Sequence, residues 1–461
     1  MRDTTRDQVL STGIARIRQD HDVPDGFSDV LNNAARQAAA DFRPGDRPDR
    51  TDIAFATLDP ASSTDLDQAF AVSTDGDDVV LHYAIADVEA FVAPGSALDL
   101  EAWNRALTVY LPDGKAGVYP PALAEAAASL LPDGPRPAVV MTVAVDPQGK
   151  STLRSAERAM IHSRAKLAYD AIGPGDLPPA LAELARRIRS DEDARGASRV
   201  EFPEQEIVDT PDGGYELRIR PRLASEDDNA TMSLAANLAV AGAMQAAGVG
   251  LFRVMDEPDA REVKGLRHAA HSLGLRWTRE TPLDKFARSL STDDPKAAAF
   301  LLSVRRASGG ASYAPFTAGV TPWHAAIAST YAHSTAPLRR LADRYVLATV
   351  VALSAGRSVP AEVLEAFERL PEVMDAAEAR TSKIDREVVD LVEAVSMMGR
   401  IGQHFTASVI DIDQRGGVKV QIDDPAIIAR VEVQGKQPGD VLSLRLDRVD
   451  PDQRQVSFTV I

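Results

Sequence analysis

The hydrophobic period of this chain changes along its length, and the changes limit the folds it can adopt. From Asp52 the apolar residues follow strand-like spacing, as in "DIAFATLD" and "RPAVVMTVAVDPQG" (136–149). Three later segments, 230–248, 322–355 and 361–400, carry helical patterns instead. Because strands are grouped before helices, the sequence predicts an α+β architecture rather than a doubly wound α/β fold.

The two ends of the chain have patterns of their own. Residues 1–42 indicate two short helices broken at "VPDG" (23–26). From about Gly402, short alternating strands separated by "QRGG", "QPGD" and "DPDQ" predict a small closed barrel of the OB type. The predicted division is therefore a helical N-terminal extension at 1–45, a large domain at 46–400 and a barrel at 401–461.

Composition excludes several classes of site and partner. The net charge of −17 argues against general adhesion to nucleic acid or anionic membranes, although it leaves room for a local basic channel. With no cysteine, any metal must be held by oxygen or imidazole. No window reaches the roughly 18 apolar residues of a membrane span, and the N-terminus lacks a signal-peptide pattern, so we expect a cytoplasmic protein without membrane association.

The stretch "TLDPASSTDLDQAF" (57–70) crowds three aspartates into nine residues. Carboxylates held close together repel one another, and binding a cation relieves that repulsion. Oxygen ligands at this spacing favour Mg²⁺ or Mn²⁺ over zinc, and Asp65 and Asp67, two residues apart, can face the same way in an extended segment. From the residues alone, a solvated Asp/Ser-rich loop is the more common interpretation of such a spacing.

Several motifs then follow in a fixed order along the chain. They are "LDPASSTDLDQAF", "HYAIADVEAFVAPGSALDLEAWNRALTVYLP" (82–112), "HSRAKLAYDAI" (162–172), "ARGASRVEF" (194–202) and "YAHSTAPLRRLADR" (331–344). Together with the terminal barrel, this order resembles the RNase II and RNase R family of exoribonucleases. The resemblance implies an RNB-type catalytic domain, built from a mixed sheet with packed helices, and an S1/OB-like RNA-binding barrel. It also implies hydrolysis of single-stranded RNA from the 3′ end to 5′-mononucleotides, with Mg²⁺ or Mn²⁺ as cofactor.

The resemblance assigns roles residue by residue. The implied metal site comprises Asp59, Asp65, Asp67 and Gln68. The implied catalytic residues are Asp67, which would organise metal and attacking water, and Arg339, which would hold the scissile phosphate. The implied RNA-binding residues are Tyr110, Tyr169, Arg339 and Arg340. From the residues alone, the two arginines could instead lie in the first turn of a helix and pair with Asp343.

This sequence departs from the family pattern at identifiable places. Gln68 stands where the typical member has a second adjacent aspartate, so the site loses one negative charge and is expected to hold one of its metals more weakly. The paired glutamates that usually precede the helix at 225–241 are not matched, and neither Glu226 nor Asp227 is assigned. The two cold-shock barrels that usually precede the catalytic domain are expected to be missing.

Two other classes of function stay open from the sequence. One is a catalytically silent or weak RNB-fold protein that binds RNA, and the other is a metal-dependent phosphodiesterase with a substrate other than bulk RNA. Walker and dinucleotide-binding patterns are missing from the sequence, so no nucleotide cofactor is expected. The expected partner is single-stranded RNA, and the expected state is a monomer.

Overall fold

The computed structural model describes residues 4–173, 175–197, 204–209, 215–220, 223–291, 294–412, 416–422, 424 and 426–461. Its helices are α1 (Thr4–Asp20), α2 (Asp29–Asp41), α3 (Ala97–Arg105), α4 (Pro179–Arg195), α5 (Ala224–Ala247), α6 (Ala260–Ser272), α7 (Leu283–Arg288), α8 (Pro295–Ala307), α9 (Leu341–Ser354) and α10 (Ala361–Ser396). Among the described residues, none of these helices combines the length and apolar character that crossing a bilayer requires.

The strands fall into one central sheet, one terminal sheet and several short pairs. They are β1 (Phe55–Asp59), β2 (Gln68–Asp75), β3 (Asp78–Ala86), β4 (Val109–Leu111), β5 (Gly114–Ala116), β6 (Arg136–Val145), β7 (Ser151–Ile161), β8 (Ser163–Ala168), β9 (Glu204–Asp209), β10 (Tyr215–Arg220), β11 (Leu251–Val254), β12 (Ser312–Pro315), β13 (Trp323–His324), β14 (Ser329–Thr330), β15 (His404–Ile412), β16 (Val418–Ile422), β17 (Ile427–Val431), β18 (Val441–Asp450) and β19 (Gln455–Val460).

The central sheet has the strand order β7-β6-β3-β2-β1-β8. Its neighbours pair antiparallel except β1 and β8, which run parallel, so the sheet is mixed as the resemblance implied. Strand β3 is buried over nearly its whole length because helices α5 and α9 pack with the sheet in one continuous apolar core. The predicted α+β class is confirmed.

The N-terminal helix α1 packs beside the short hairpin β4–β5. Leu10, Ile14 and Ile17 of α1 share a buried apolar cluster with the hairpin and with α10. Arg18 at the end of α1 also donates to Asp113 in the hairpin turn, at 3.0 Å from Nε and 2.9 Å from Nη2. The position of this hairpin is therefore fixed by the helical segment that begins the described chain.

The helical prediction for 322–355 is correct only from Leu341 onward, where α9 begins. Residues 323–330 form the hairpin β13–β14, and a loop follows it up to α9. Asn237 of α5 holds this loop, because its Oδ1 accepts hydrogen bonds from both the backbone N–H and the hydroxyl of Ser334, at 2.9 and 2.8 Å. Tertiary hydrogen bonds here override the local helical pattern. Pro337 disfavours a helix that continues through its position, and α9 begins after it.

The C-terminal strands form a sheet in the order β17-β16-β15-β18-β19, with every neighbouring pair antiparallel. Strand β17 also lies against β19, so the five strands nearly close on themselves. Inward residues such as Val409, Val420 and Leu444 fill the interior while their neighbours face outward. The predicted OB-like barrel is confirmed.

Candidate active site

The acidic stretch forms a tethered loop between two strands of the central sheet. Strand β1 ends at Asp59 and β2 begins at Gln68. The Leu66 N–H donates to Ser129 Oγ at 2.9 Å, and that hydroxyl donates to the Thr64 carbonyl at 2.7 Å. The Ala86 N–H donates to the Asp67 carbonyl at 2.9 Å. The loop is therefore held by backbone and hydroxyl hydrogen bonds, unlike the solvated loop that was the alternative.

Arg339 lies beside this loop although it is far away in sequence. The Leu338 N–H donates to Asp67 Oδ1 at 2.7 Å, and Arg339 Nε lies 3.4 Å from Asp67 Oδ2. The Arg339 carbonyl accepts from the Thr108 N–H at 3.0 Å, which fixes the backbone of this segment on its other side. The Arg339 side chain is 50% exposed, so its guanidinium faces solvent as well as the carboxylate.

We call Asp59, Asp67 and Arg339 the arginine cluster. Burial raises the pKa of Asp59 to about 7. The positive charge of Arg339 opposes this rise, and the negative charge of Asp65 adds to it. Burial likewise raises the pKa of Asp67 to about 7, although Arg339 and the Leu338 N–H favour its ionised form. Two desolvated carboxyl groups therefore share one half-exposed guanidinium.

Asp65 belongs to a second group, which we call the lysine cluster and which comprises Asp65, Lys115 and Glu125. Lys115 Nζ lies 2.7 Å from Asp65 Oδ1 and 3.2 Å from Glu125 Oε1. Sequence reasoning missed both partners. The only available signal for Lys115 was its position in "LPDGKAG", a turn sequence that predicts a hairpin directly after Tyr110.

Gln68 faces a different set of partners from the three aspartates. Its Oε1 accepts hydrogen bonds from the hydroxyls of Tyr83 and of Ser233, the latter at 3.2 Å. These two hydroxyls also lie 2.9 Å from each other. The amide oxygen that was predicted to join the metal site therefore already has two hydroxyl donors from β3 and α5.

The two neighbouring arginines have different surroundings. Arg340 donates to Asp343 through Nε at 2.6 Å and Nη2 at 2.7 Å. Asp343 is fully buried and also accepts from the Ala336 N–H at 2.8 Å. Burial alone would lower the pKa of Arg340, but the adjacent Asp343 carboxylate raises it further than burial lowers it. This geometry favours the pairing interpretation for Arg340 and leaves Arg339 as the arginine available to a phosphate.

Both predicted aromatic residues lie beside the acidic loop. The Tyr110 hydroxyl is 3.5 Å from Asp65 Oδ2, and half of the residue is exposed. The Tyr169 N–H donates to the Asp59 carbonyl at 3.2 Å, and its hydroxyl accepts from Asn229 Nδ2 at 2.7 Å. Burial raises the pKa of Tyr169 to about 12, with Asp59 adding to the effect. Tyr110 thus approaches the Asp65 carboxylate through its hydroxyl, whereas Tyr169 is joined to Asp59 through the backbone.

One departure from the family pattern has a structural context. Glu226 caps the beginning of α5, because its Oε2 accepts from the Leu223 N–H at 2.7 Å. The second half of the predicted motif "ARGASRVEF", residues 198–202, lies outside the described residues.

The donor chemistry of the arginine cluster fits a divalent cation. The Asp67 carboxylate is buried and that of Asp59 is partly buried, and a cation would offset the cost of ionising them there. Mg²⁺ needs only one or two carboxylates when waters and substrate phosphates complete its shell. No three His, Asp or Glu side chains are grouped to hold one metal ion in the part of the chain that the structure describes. The fit therefore rests on Asp59 and Asp67.

Comparison with known proteins decides the family. The sequence matches the RNB domain over residues 47–355 and the RNase II-type exonuclease C-terminal S1 domain over residues 403–461. The chain belongs to the RNB family. The family resemblance carried by the motifs at 57–70 and 331–344 is confirmed, as is the S1 type of the terminal barrel.

Relatives of this RNB protein include bacterial proteins named Ribonuclease R and Exoribonuclease 2. Ribonuclease R of Aquifex aeolicus is 26% identical over an alignment that covers 88% of this chain and 63% of the relative. Exoribonuclease 2 of Cronobacter sakazakii is 28% identical, with 90% of this chain and 66% of the relative covered. The chain thus spans less than two thirds of the length of these relatives.

Solved structures of RNB proteins share the fold at lower identity. RNase R of Mycoplasma genitalium, in complex with ribose methylated single-stranded RNA, superposes with a TM-score of 0.86 at 21% identity and covers 98% of this chain and 78% of its own. Yeast Ssd1, described as a pseudonuclease, superposes with a TM-score of 0.71 at 18% identity, with 97% of this chain and 58% of its own covered. The fold is therefore shared by a ribonuclease and a pseudonuclease.

Proposed function

We propose that this RNB protein is a divalent-metal-dependent exoribonuclease that shortens single-stranded RNA from its 3′ end and releases 5′-mononucleotides. The observation that carries the proposal is the arrangement of Arg339 beside the buried carboxylate of Asp67, with Asp59 in the same cluster. A guanidinium fork next to buried oxygen ligands is the combination that binding and hydrolysing a phosphodiester requires.

The residues of the chain then have distinct roles. Asp67 and Asp59 would hold Mg²⁺ or Mn²⁺, which supplies an activated water and neutralises charge on the phosphate. The half-exposed Arg339 would bind two phosphate oxygens and stabilise the charge that builds on them while the 3′-oxygen departs. The Leu338 N–H, by donating to Asp67 Oδ1, keeps this arginine segment and the acid in register.

Tyr110 and Tyr169 would bind the terminal nucleotides by stacking. Tyr110 presents an exposed ring next to the lysine cluster, and Tyr169 lies at the end of β8 next to Asp59. Stacking on an aromatic ring tolerates every base, which suits an enzyme that removes nucleotides one after another.

Incubation with end-labelled substrates tests the proposal. Purified protein is mixed with single-stranded RNA, with DNA of the same sequence and with 3′-blocked RNA, each in Mg²⁺, Mn²⁺ or EDTA. We expect stepwise shortening of free-ended RNA in metal only, and an Asp67→Asn variant that binds RNA but does not shorten it. Shortening that persists in EDTA, or unchanged turnover in the variant, would contradict the proposal, and shortening of DNA would point to a broader phosphodiesterase.

A silent RNA-binding protein is the second candidate, and one observation favours it. Of the four predicted metal ligands, Asp65 is paired with Lys115, and Gln68 accepts from two hydroxyls. Within the part of the chain that the structure describes, this leaves Asp59 and Asp67, the latter 3.4 Å from Arg339, as the two ligands available to a metal. In the same assay, RNA binding without shortening at any metal concentration would establish this candidate.

A further inference from the structure

Lys115 is held in the acidic site by contacts on several sides. Its ammonium lies between Asp65 and Glu125, and the second carboxylate oxygen of Glu125 accepts from Thr64 Oγ1 at 3.1 Å. Glu125 itself stands in a single π-helical turn, Leu123–Ala127. The lysine side chain is only 23% exposed, so it is part of the site rather than a solvated surface cation.

The backbone that carries Lys115 is fixed as well. Lys115 lies on β5, and its hairpin partner β4 carries Tyr110. The hairpin is pinned to α1 by the paired hydrogen bonds from Arg18 to Asp113 and by the apolar cluster between them. Because the hairpin is held in place on both sides, the Lys115 ammonium is positioned to pair with Asp65 whether or not a metal is bound.

The balance of charge in the site favours one divalent cation over two. The arginine and lysine clusters together contain four carboxylates and two cationic side chains, as their definitions above show. One divalent ion would neutralise the two clusters, whereas a second would leave them positively charged before any RNA phosphate enters, and the charge of Lys166 beside Asp59 would add to that excess. Two-metal phosphoryl-transfer sites instead place both charges on metal ions about 4 Å apart.

We propose that Lys115 takes the place of a second divalent cation, so that this chain holds a single divalent ion between Asp59 and Asp67. The inference rests on the proposed function, but the contacts of Lys115 do not depend on it. Lys115 is a positioning residue: it neutralises Asp65 and keeps the loop that bears Asp67 in place. A cavity of about 360 Å³, lined in part by Asp65, Lys115, Glu125 and Leu338 and also by Arg105, adjoins this corner and leaves room for a hydrated ion once the ammonium is removed.

Direct counting of bound Mn²⁺ tests this inference without RNA. Full-length protein is titrated with Mn²⁺, and the free ion is measured by electron paramagnetic resonance. We expect one tightly bound Mn²⁺ in the wild type and in Lys115→Arg, and a second bound Mn²⁺ in Lys115→Met. Two ions in the wild type, or one ion in Lys115→Met, would overturn the proposal.

Lys166→Met is the matched control, because Lys166, on β8, donates to the Ala61 carbonyl of the acidic loop at 2.8 Å and its charge acts on Asp59 rather than on Asp65. The Lys166→Met variant should bind one Mn²⁺. A second Mn²⁺ bound to this variant would show that the loss of any nearby lysine charge creates a second metal site, and this would contradict a specific role for Lys115. If Lys115→Met does not fold, Lys115→Gln, which retains a hydrogen-bond donor, carries the same expectation.

Kinetics separate the failure of this inference from the failure of the proposed function. If RNA is hydrolysed, the rate should depend on Mg²⁺ with a Hill coefficient near one in the wild type and above one in Lys115→Met. Hydrolysis with equal coefficients would end the lysine proposal and leave the exoribonuclease proposal intact. Without hydrolysis, the count of bound Mn²⁺ still decides the role of Lys115.

Discussion

The arginine cluster and the lysine cluster come from the same acidic loop, yet their acids have different partners. Asp67 is buried, Asp59 is partly buried, and both feel the charge of one half-exposed arginine, so their ionisation is costly and they can respond to an incoming cation. Asp65 is paired with a lysine that a second acid also holds. The number of acids in a sequence motif therefore does not show how many of them are available to a metal, because the cations that pair with them come from distant parts of the chain.

Replacing one acid from each cluster is the strongest way to break this comparison. Asp67→Asn should lower kcat by about 10³-fold or more, because it removes a metal-binding carboxylate at the reacting phosphate. Asp65→Asn should cost only about tenfold, because Lys115 then keeps Glu125 as its partner. Single-turnover degradation of end-labelled RNA measures both rates.

Binding of the same RNA to each variant in EDTA is the control, and it should change less than threefold. Equal losses of kcat in the two variants would show that the clusters do not differ in function, and the distinction between them would have to be abandoned.

The two neighbouring arginines extend the comparison from acids to cations. Arg339→Gln should lower kcat by about 10²- to 10³-fold at unchanged thermal stability, because a half-exposed guanidinium that stabilises transition-state charge is removed. Arg340→Gln should instead lower the free energy of unfolding by roughly 3 kcal/mol, because it leaves the buried carboxylate of Asp343 without its cation. Thermal melts and kcat are measured on both proteins, and a stable but inactive Arg340→Gln would refute this division of roles.

Much of this architecture could be predicted from the sequence, and the reason is physical. The change from period-2 to helical patterns depends on which faces are buried, so the strands at 55–59 and 136–145 and the helix at 361–396 were recognisable. The helical pattern at 322–340 was misleading, because Asn237 supplies hydrogen bonds that no local pattern contains. The domain division at 1–45, 46–400 and 401–461 stays a prediction.

The candidate site was predictable only in part. Motif order brought Asp67 and Arg339 to notice, and the structure places them 3.4 Å apart. The partners of the other acids come from turns and strands without motif character, so Lys115, Tyr83 and Ser233 had no signal strong enough to single them out. Pairings of this kind depend on register and hairpin geometry, which spacing along the chain does not encode.

Gln68→Asp would sharpen the comparison by adding an acid outside both clusters. The new carboxylate would keep the hydroxyl donors Tyr83 and Ser233, which stabilise its ionised form. We expect the Mg²⁺ concentration for half-maximal rate to fall by about two- to fivefold, as one more negative oxygen donor is offered near the site. Isothermal titration with Mg²⁺ checks the affinity independently, and an unchanged midpoint in both measurements would mean that position 68 lies outside the metal's reach.

The smallest expected effect concerns stability and its dependence on pH. Burial is the main reason that the folded-state pKa of Asp67 is raised from 3.8 to about 7. Ionising Asp67 therefore destabilises the folded state, and this destabilisation is absent below about pH 4 and complete above pH 7. Asp67→Asn removes that cost while Oδ1 of the amide still accepts from the Leu338 N–H. In EDTA, the variant should melt about 2–4 °C above the wild type at pH 8, with the difference vanishing toward pH 4. A difference in Tm that is constant from pH 5 to pH 8, or a variant that melts lower at pH 8, would show that the buried carboxylate is already compensated in the metal-free protein, and the contrast between the two clusters would then lose its energetic basis.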